Sequence, residues 1–197
     1  MNTIELIDRL EQDKSLQKEE WIHVIEDDSE ENRKYAAEKA RALGDTYYGK
    51  EIFVRGLIEF TNYCKNDCYY CGIRCSNKKA NRYRLSEEDI LACCEEGDRL
   101  GFRTFVLQGG EDPYYTDDKI VDIVREIKRR YPEHAVTLSI GERERESYER
   151  FFAAGADRYL LRHETANDTH YRKLHPESMS LSHRKQCLRD LKEIGYQ

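Results

Sequence analysis

Three of the seven cysteines in this 197-residue chain crowd into one short segment, Cys64-Lys-Asn-Asp-Cys68-Tyr-Tyr-Cys71. The spacing is C-x3-C-x2-C, with Tyr70 directly ahead of the last thiol. Thiolates this close together are metal ligands or an accident of composition. A structural zinc takes four ligands, usually as two separated pairs. No second C-x2-C pair exists here, so Cys75 or a distant His would have to complete a zinc site. An iron–sulfur cube has four iron corners; three cysteines would hold three and leave one open to an outside ligand. An open corner implies chemistry rather than scaffolding. Spacing alone leaves both metals in play. The cysteine count is odd and the first residues, Met1-Asn2-Thr3-Ile4-Glu5, lack a secretory pattern, so no disulfide framework is expected.

The elements around this loop follow from periodicity. Residues 1–49 read as a helical cap, with stripes at Ile4, Leu6, Ile7 and Leu10 and at Trp21, Ile22, Val24 and Ile25. A third helix, capped at Asp28 or Ser29, should run to about Leu43 and stop at Gly44. From residue 50 onward short apolar runs alternate with amphipathic patterns, the sign of βα units and a parallel sheet. The expected strands are 52–60, 104–108, 135–140 and 157–162. The expected helices begin at the Ser86-Glu-Glu-Asp89 capping box and then cover 117–130, 144–154 and 182–194. Cys93 and Cys94 on the first of these are expected to be small buried hydrophobes.

This predicts an α/β fold, the N-terminal half of a TIM-type (β/α) barrel with about four βα units, preceded by the helical segment. In such barrels ligands gather at the loops after the strands. The unusual residues all fall there: the cysteines after the first strand, Gly109-Gly110-Glu111 after the second, Ser139 and Gly141-Glu142 at the third, Arg162-His163-Glu164 at the fourth. That coincidence favours the cluster over zinc.

Composition narrows the class. Thirty-three Lys and Arg against 39 Asp and Glu give a net charge of −6, which argues against nucleic-acid binding. Mean hydropathy is −0.90, and no apolar run approaches the ~20 residues of a membrane span. A soluble cytoplasmic protein is expected. Fourteen Tyr, 6 Phe and one Trp are too many aromatics for a disordered chain.

The loop Cys64-x3-Cys68-x-Tyr70-Cys71 and Gly109-Gly110-Glu111 resemble the signature motifs of the radical S-adenosylmethionine (SAM) superfamily, over roughly residues 50–197. Longer strings point within it: Arg55-Gly-Leu-Ile-Glu-Phe60, Asn81-Arg-Tyr-Arg84, Gln108-Gly-Gly-Glu-Asp-Pro-Tyr-Tyr115 and Leu160-Leu-Arg-His-Glu-Thr165 resemble the HydE family of FeFe-hydrogenase maturases. Methylornithine synthase shares Asn81-Arg-Tyr-Arg84 and Gly110-Glu-Asp-Pro-Tyr-Tyr115, biotin synthase is a further relative, and the Leu160–Thr165 run favours the maturase family. The resemblance implies a 4Fe–4S cluster on Cys64, Cys68 and Cys71, and SAM at the open iron, cleaved reductively to a 5′-deoxyadenosyl radical. It also implies SAM contacts from Tyr70, Gly109, Gly110, Glu111, Glu164 and Arg184, the last with the SAM carboxylate. Read as one helical residue, Arg184 would simply be solvated.

Thr137 and Ser139 share a strand face, and an inward Arg162 is costly unless it meets an anion. These three are candidate substrate anchors for a carboxylate-bearing ligand; the competing role for Arg162 is an ion pair with Glu142 or Glu164. His163 points the other way, and Cys75 lies outside the signature. The expected partners are a small molecule or small iron complex as substrate, an electron donor such as ferredoxin or flavodoxin, and other hydrogenase maturases, with no nucleic acid and no membrane. The alternatives are another radical SAM synthase or a non-catalytic zinc or iron–sulfur module. Four strands are half of a closed barrel, so the chain reads as an N-terminal fragment ending before a fifth strand.

Overall fold

Short polar side chains decide where the helices begin. Ser86 Oγ accepts from the Asp89 amide at 3.1 Å, and Asp89 returns a carboxylate oxygen to the Ser86 amide at 3.0 Å, which satisfies two N–H groups otherwise left free. Asn2 forms another such box, and the side chains of Ser29, Thr116, Asn167 and Ser180 each accept from a first-turn amide of their helix. The computed structural model describes all 197 residues, in two compact units, Met1–Phe53 and Val54–Gln197.

The first unit holds α1 (Thr3–Asp13), α2 (Lys18–Glu26) and α3 (Glu30–Tyr48) around a small core of Leu6, Ile7 and Leu16. The third helix does not stop at Gly44, as expected, but continues to Tyr48. A glycine inside a helix costs about 1 kcal/mol relative to alanine, too little to end it alone, and the left-handed cap falls at Gly49 instead. Trp21, Ile22 and Ile25 are exposed.

The second unit is a four-stranded parallel sheet in the order β1 (Gly56–Thr61), β2 (Thr104–Gly109), β3 (Ala135–Ser139) and β4 (Arg158–Tyr159). The helices α4 (Glu87–Arg99), α5 (Asp117–Arg130), α6 (Arg145–Ala154), α7 (Asp168–Leu174) and α8 (Leu181–Ile194) complete it. Sequential strand order with helical connections is the wall of a βα barrel. Alternation sorts the strand residues: Ile58, Phe60, Phe105, Leu107, Val136 and Leu138 join the core with Ile120, Val124 and Ile127 of α5 and Phe151 of α6. Glu59, Gln108 and Ser139 fall on the other face. No helix is long and apolar enough to cross a membrane.

Three expectations need correction. The run from Ile52 to Arg55 is not part of β1; Ile52, Phe53 and Val54 are exposed and unpaired, because apolar composition makes a strand only where a neighbour supplies hydrogen bonds. β4 is two residues long, although the Leu160 amide still donates to Leu138 O at 2.8 Å. Cys94 is fully buried, but Cys93, one residue and about 100° around the helix, is exposed. The short helix α7 was missed because seven residues give too few turns for a periodic signal.

One buried carboxylate ties the site-bearing segments together. Asp112, 1% exposed, accepts from Thr61 Oγ1 at 2.7 Å at the end of β1 and from the Tyr114 amide at 3.0 Å. Arg84 grips it with two hydrogen bonds, at 2.7 and 2.9 Å. Burial acts to raise the Asp112 pKa, but the Arg84, Thr61 and Tyr114 hydrogen bonds outweigh it and hold the group below its usual 3.8. Its contribution is therefore present above pH 3.8 and lost as the pH falls through the lower folded value. Asp112→Asn should cost about 2–3 kcal/mol at pH 7. In thermal melts the gap between variant and parent should narrow below about pH 3.8.

Candidate functional site

The site is assembled where the strands end. Gly110, just past β2, is the seat of the cysteine loop: a Cβ there would stand 2.2 Å from the Tyr63 carbonyl oxygen and 2.7 Å from Cys64 Cβ. A Cβ on Gly109 would meet Thr61 Cγ2 at 2.7 Å. The side-chain space these glycines leave is thus filled by β1 and the loop. The Lys65 amide then donates to Glu111 O at 2.9 Å, and the Tyr69 amide to Leu174 O, also at 2.9 Å. The loop turns on itself through Cys71 N to Cys68 O at 3.0 Å, and Cys75 N reaches Asn66 O at 2.9 Å.

The three thiols are half-buried and share one electrostatic environment. Burial pushes the Cys64 thiol up, and burial followed by the charges of Cys64 and Cys71 pushes Cys68 up to about 11. Cys68 Sγ lies 3.7 Å from Met179 Sδ. No three His, Cys, Asp or Glu side chains converge on one point, the arrangement a single ion needs. Tyr70 is about half exposed and sits edge-on to His175, with its hydroxyl 3.4 Å from Nε2. Burial and then the Glu164 charge raise its pKa.

A cavity of about 320 Å³ opens beside the loop on the barrel-interior face of the sheet. Six expected site residues line it: Cys71, Gly109, Ser139, Arg162, Glu164 and Arg184. Cys64, Cys68, Tyr70, Gly110, Glu111 and Thr137 do not. Glu111 is buried, accepts from the Glu142 amide at 2.9 Å and pairs with Lys65 at 3.3 Å. It leaves room for nothing larger than hydrogen at Gly141, where φ is +78°. Thr137 is buried with a hydroxyl that has no partner.

The two arginines differ. Arg184 is 7% exposed, donates through Nε to Glu142 at 2.5 Å and through Nη1 to the Arg162 carbonyl at 2.5 Å. Hydrogen bonding to Glu142 outweighs burial and raises its pKa. The solvated alternative therefore does not hold. The Arg162 guanidinium has no ion pair with Glu142 or Glu164; Glu142 is taken by Arg184. Glu164 has φ +61°, and the Thr165 amide closes a three-residue turn around it onto His163 O at 2.7 Å. Strained residues of this kind concentrate at functional sites. Sequence reading missed Glu59 and Gln108, which line the cavity and bond to each other at 3.0 Å. The signal was there: Glu59 interrupts an apolar strand on the face opposite Ile58 and Phe60.

The radical SAM superfamily model matches residues 58–197. The chain belongs to the radical SAM superfamily. Its members are enzymes that use a 4Fe–4S cluster and S-adenosylmethionine. The chain is 52% identical over 151 residues to the [FeFe] hydrogenase maturase subunit HydE of Thermotoga maritima, covering 77% of this chain and 42% of that one. It is 33% identical to 3-methylornithine synthase of Methanosarcina acetivorans, covering 86% and 48%. Among solved structures, methylornithine synthase (PylB) superposes with a TM-score of 0.83 at 30% identity over 97% of this chain and 56% of that one. The maturase HydG does so at 0.85 and 25% identity, over 98% and 44%. The chain thus spans a little under half the length of these curated relatives.

Two measurements check this arrangement of the cysteine loop. Gly110→Ala should displace the cysteine loop and cost about 1–3 kcal/mol, read as a lowered melting temperature. In metal-free protein, alkylation of Cys68 should be slow at pH 7 and accelerate about tenfold per pH unit toward its pKa of about 11, followed by peptide mass spectrometry.

Proposed function

We propose that residues 50–197 are the cluster- and SAM-binding core of a radical SAM enzyme that acts in assembly of the FeFe-hydrogenase active-site cluster. The observation that carries this reading is the cavity that joins Cys71 to the unpaired Arg162 and the strained Glu164. The donor set fits the cofactor. Three thiols on one loop feel each other's charge without converging on one point, which suits separate corners of a cube better than one zinc ion.

Cys64, Cys68 and Cys71 would hold the cluster, and Tyr70 would border the nucleoside. When bound, the cluster supplies one electron that cleaves SAM to methionine and a 5′-deoxyadenosyl radical. The chain's own groups bind, orient and exclude water. Arg184, held by Glu142, is preorganised as a cation toward a carboxylate, and Glu164 supplies the complementary charge for an ammonium group; Gly109, Gly110 and Glu111 set the backbone between them. Ser139 and Arg162 anchor the substrate, a small molecule or small iron complex bearing negative charge; Thr137, expected to join them, is buried and does not line the cavity. A ferredoxin or flavodoxin would donate the electron, and other hydrogenase maturases would receive the product. The 52% identity to HydE supports the maturase assignment. The methylornithine synthase reading rests on the 33% relative and the PylB superposition.

Raised thiol pKa values mean that cluster loading must release protons, so reconstitution should go faster at pH 8.5 than at pH 7, about tenfold per unit for a rate-limiting thiolate. Anaerobically reconstituted whole protein should carry about four irons per chain with a brown charge-transfer absorption. Cys68→Ala should abolish 5′-deoxyadenosine formation and leave the far-ultraviolet circular dichroism intact; retained product would overturn the ligand assignment. One tight zinc and no iron would overturn the enzyme reading. Restored hydrogenase activity in a host lacking its own HydE would separate the maturase from a synthase.

A further inference from the structure

The segment Asn81-Arg82-Tyr83-Arg84 takes no part in the proposed chemistry, yet it wraps the cysteine loop. Arg84 has a carboxylate partner in Asp112. Arg82 has none. Its guanidinium is instead spent on main-chain carbonyls: Nη1 donates to Asn62 O and to Ile73 O at 2.9 Å, and Nη2 to Arg74 O at 2.8 Å and Asn77 O at 3.3 Å. Asn62 lies two residues before Cys64, whereas Ile73, Arg74 and Asn77 all follow Cys71. One planar cation therefore bonds to both stems of the loop that carries the three thiols.

No β-ladder joins residue 62 to residue 73. Further into the loop Cys75 N donates to Asn66 O at 2.9 Å and Ser76 N to Asp67 Oδ1 at 3.1 Å, and Asn62 Nδ2 bonds to Asn81 O at 2.6 Å. At the mouth it is the Arg82 side chain that ties residue 62 to residues 73–77. A loop looser at its mouth samples more thiol separations, and ordering it opposes metal uptake. A rigid fork of N–H donors suits several carbonyls arrayed in a plane, which the compact ammonium of lysine cannot span. Arg82 also borders, with Cys64, Cys75 and Lys78, a second cavity of about 320 Å³.

We propose that Arg82 is a positioning residue for the cluster: by bonding to carbonyls on both sides of Cys64–Cys71 it holds the thiols at binding separation. This rests on the cluster reading of the preceding subsection. The test compares parent, Arg82→Lys and Arg82→Met in the whole protein, each reconstituted anaerobically with ferrous iron and sulfide. The readouts are iron per chain, the rate of iron release to a ferrous chelator, and the melting temperature of the metal-free form. Both variants should hold iron about 10–100-fold more weakly, the usual effect of removing a group that orients metal ligands, with metal-free melting temperatures close to the parent's. Parent-like iron retention in Arg82→Lys would overturn the proposal, because charge without the fork would then suffice. A metal-free melting temperature that falls in step with iron loss in both variants would also overturn it, marking Arg82 as a general structural residue. If Arg82→Met does not fold, Arg82→Lys decides alone. A parent that takes up no iron would instead overturn the cluster reading itself, and this inference with it.

Discussion

The carboxylate of Asp112 is the point at which three separate stretches of chain are made to agree. Its oxygens are fully used by Thr61, Arg84 and the Tyr114 amide, inside a region water does not reach. A charge in that position is tolerable only while every partner is present, so the end of β1, the strap at 81–84 and the turn after β2 are held as a set. Arg84 extends the set by lying 3.9 Å over the Tyr63 ring and 4.9 Å over Tyr114, with Lys119 3.3 Å from the latter ring. Tyr63 precedes Cys64, and Gly110 lies two residues before Asp112. The position of the first thiol is therefore tied to the Asp112–Arg84 pair, whose carboxylate is buried and whose guanidinium is about one-third exposed.

The βα alternation, three of the four strands and every helix of eight residues or more in the second unit were legible in the amino-acid order, because each has a clear apolar period and α4, α5 and α8 also have a capping side chain. The failures share a cause. Ile52–Arg55 and the outer part of 157–162 are apolar, but strand formation needs a neighbour that the linear order does not reveal. Cys93 and Cys94 look alike as letters and differ by one step around a helix. Within the site, cysteine spacing identified the loop, while Asp112 and Glu142 act through contacts 28 to 51 positions away, and the carbonyls that Arg82 reaches, 5 to 20 positions away, carry no side-chain signal.

Arg162 and Arg184 show how burial reverses an expectation drawn from residue type. Arg184 stands three residues before Cys187 and seven before Leu191, so it shares their buried helical face, a pattern visible in the order of residues itself. It arrives in the interior with Glu142 as partner. Arg162, three residues past β4, presents its carbonyl to Arg184 and leaves its own guanidinium unpaired beside the cavity. The cavity thus holds two arginines in different states, Arg184 paired with Glu142 and Arg162 without a carboxylate partner.

The cysteine loop is also closed from the far end of the sequence. Tyr69 donates to Leu174, Tyr70 leans on His175, and Met179 lies against Cys68. These contacts join positions more than 100 residues apart. On a ribosome the three thiols emerge long before the segment that shelters them, and during that interval they are reactive groups on an unsupported loop. Their shelter is thereby a late event of synthesis, waiting on α7 and the turn that follows it.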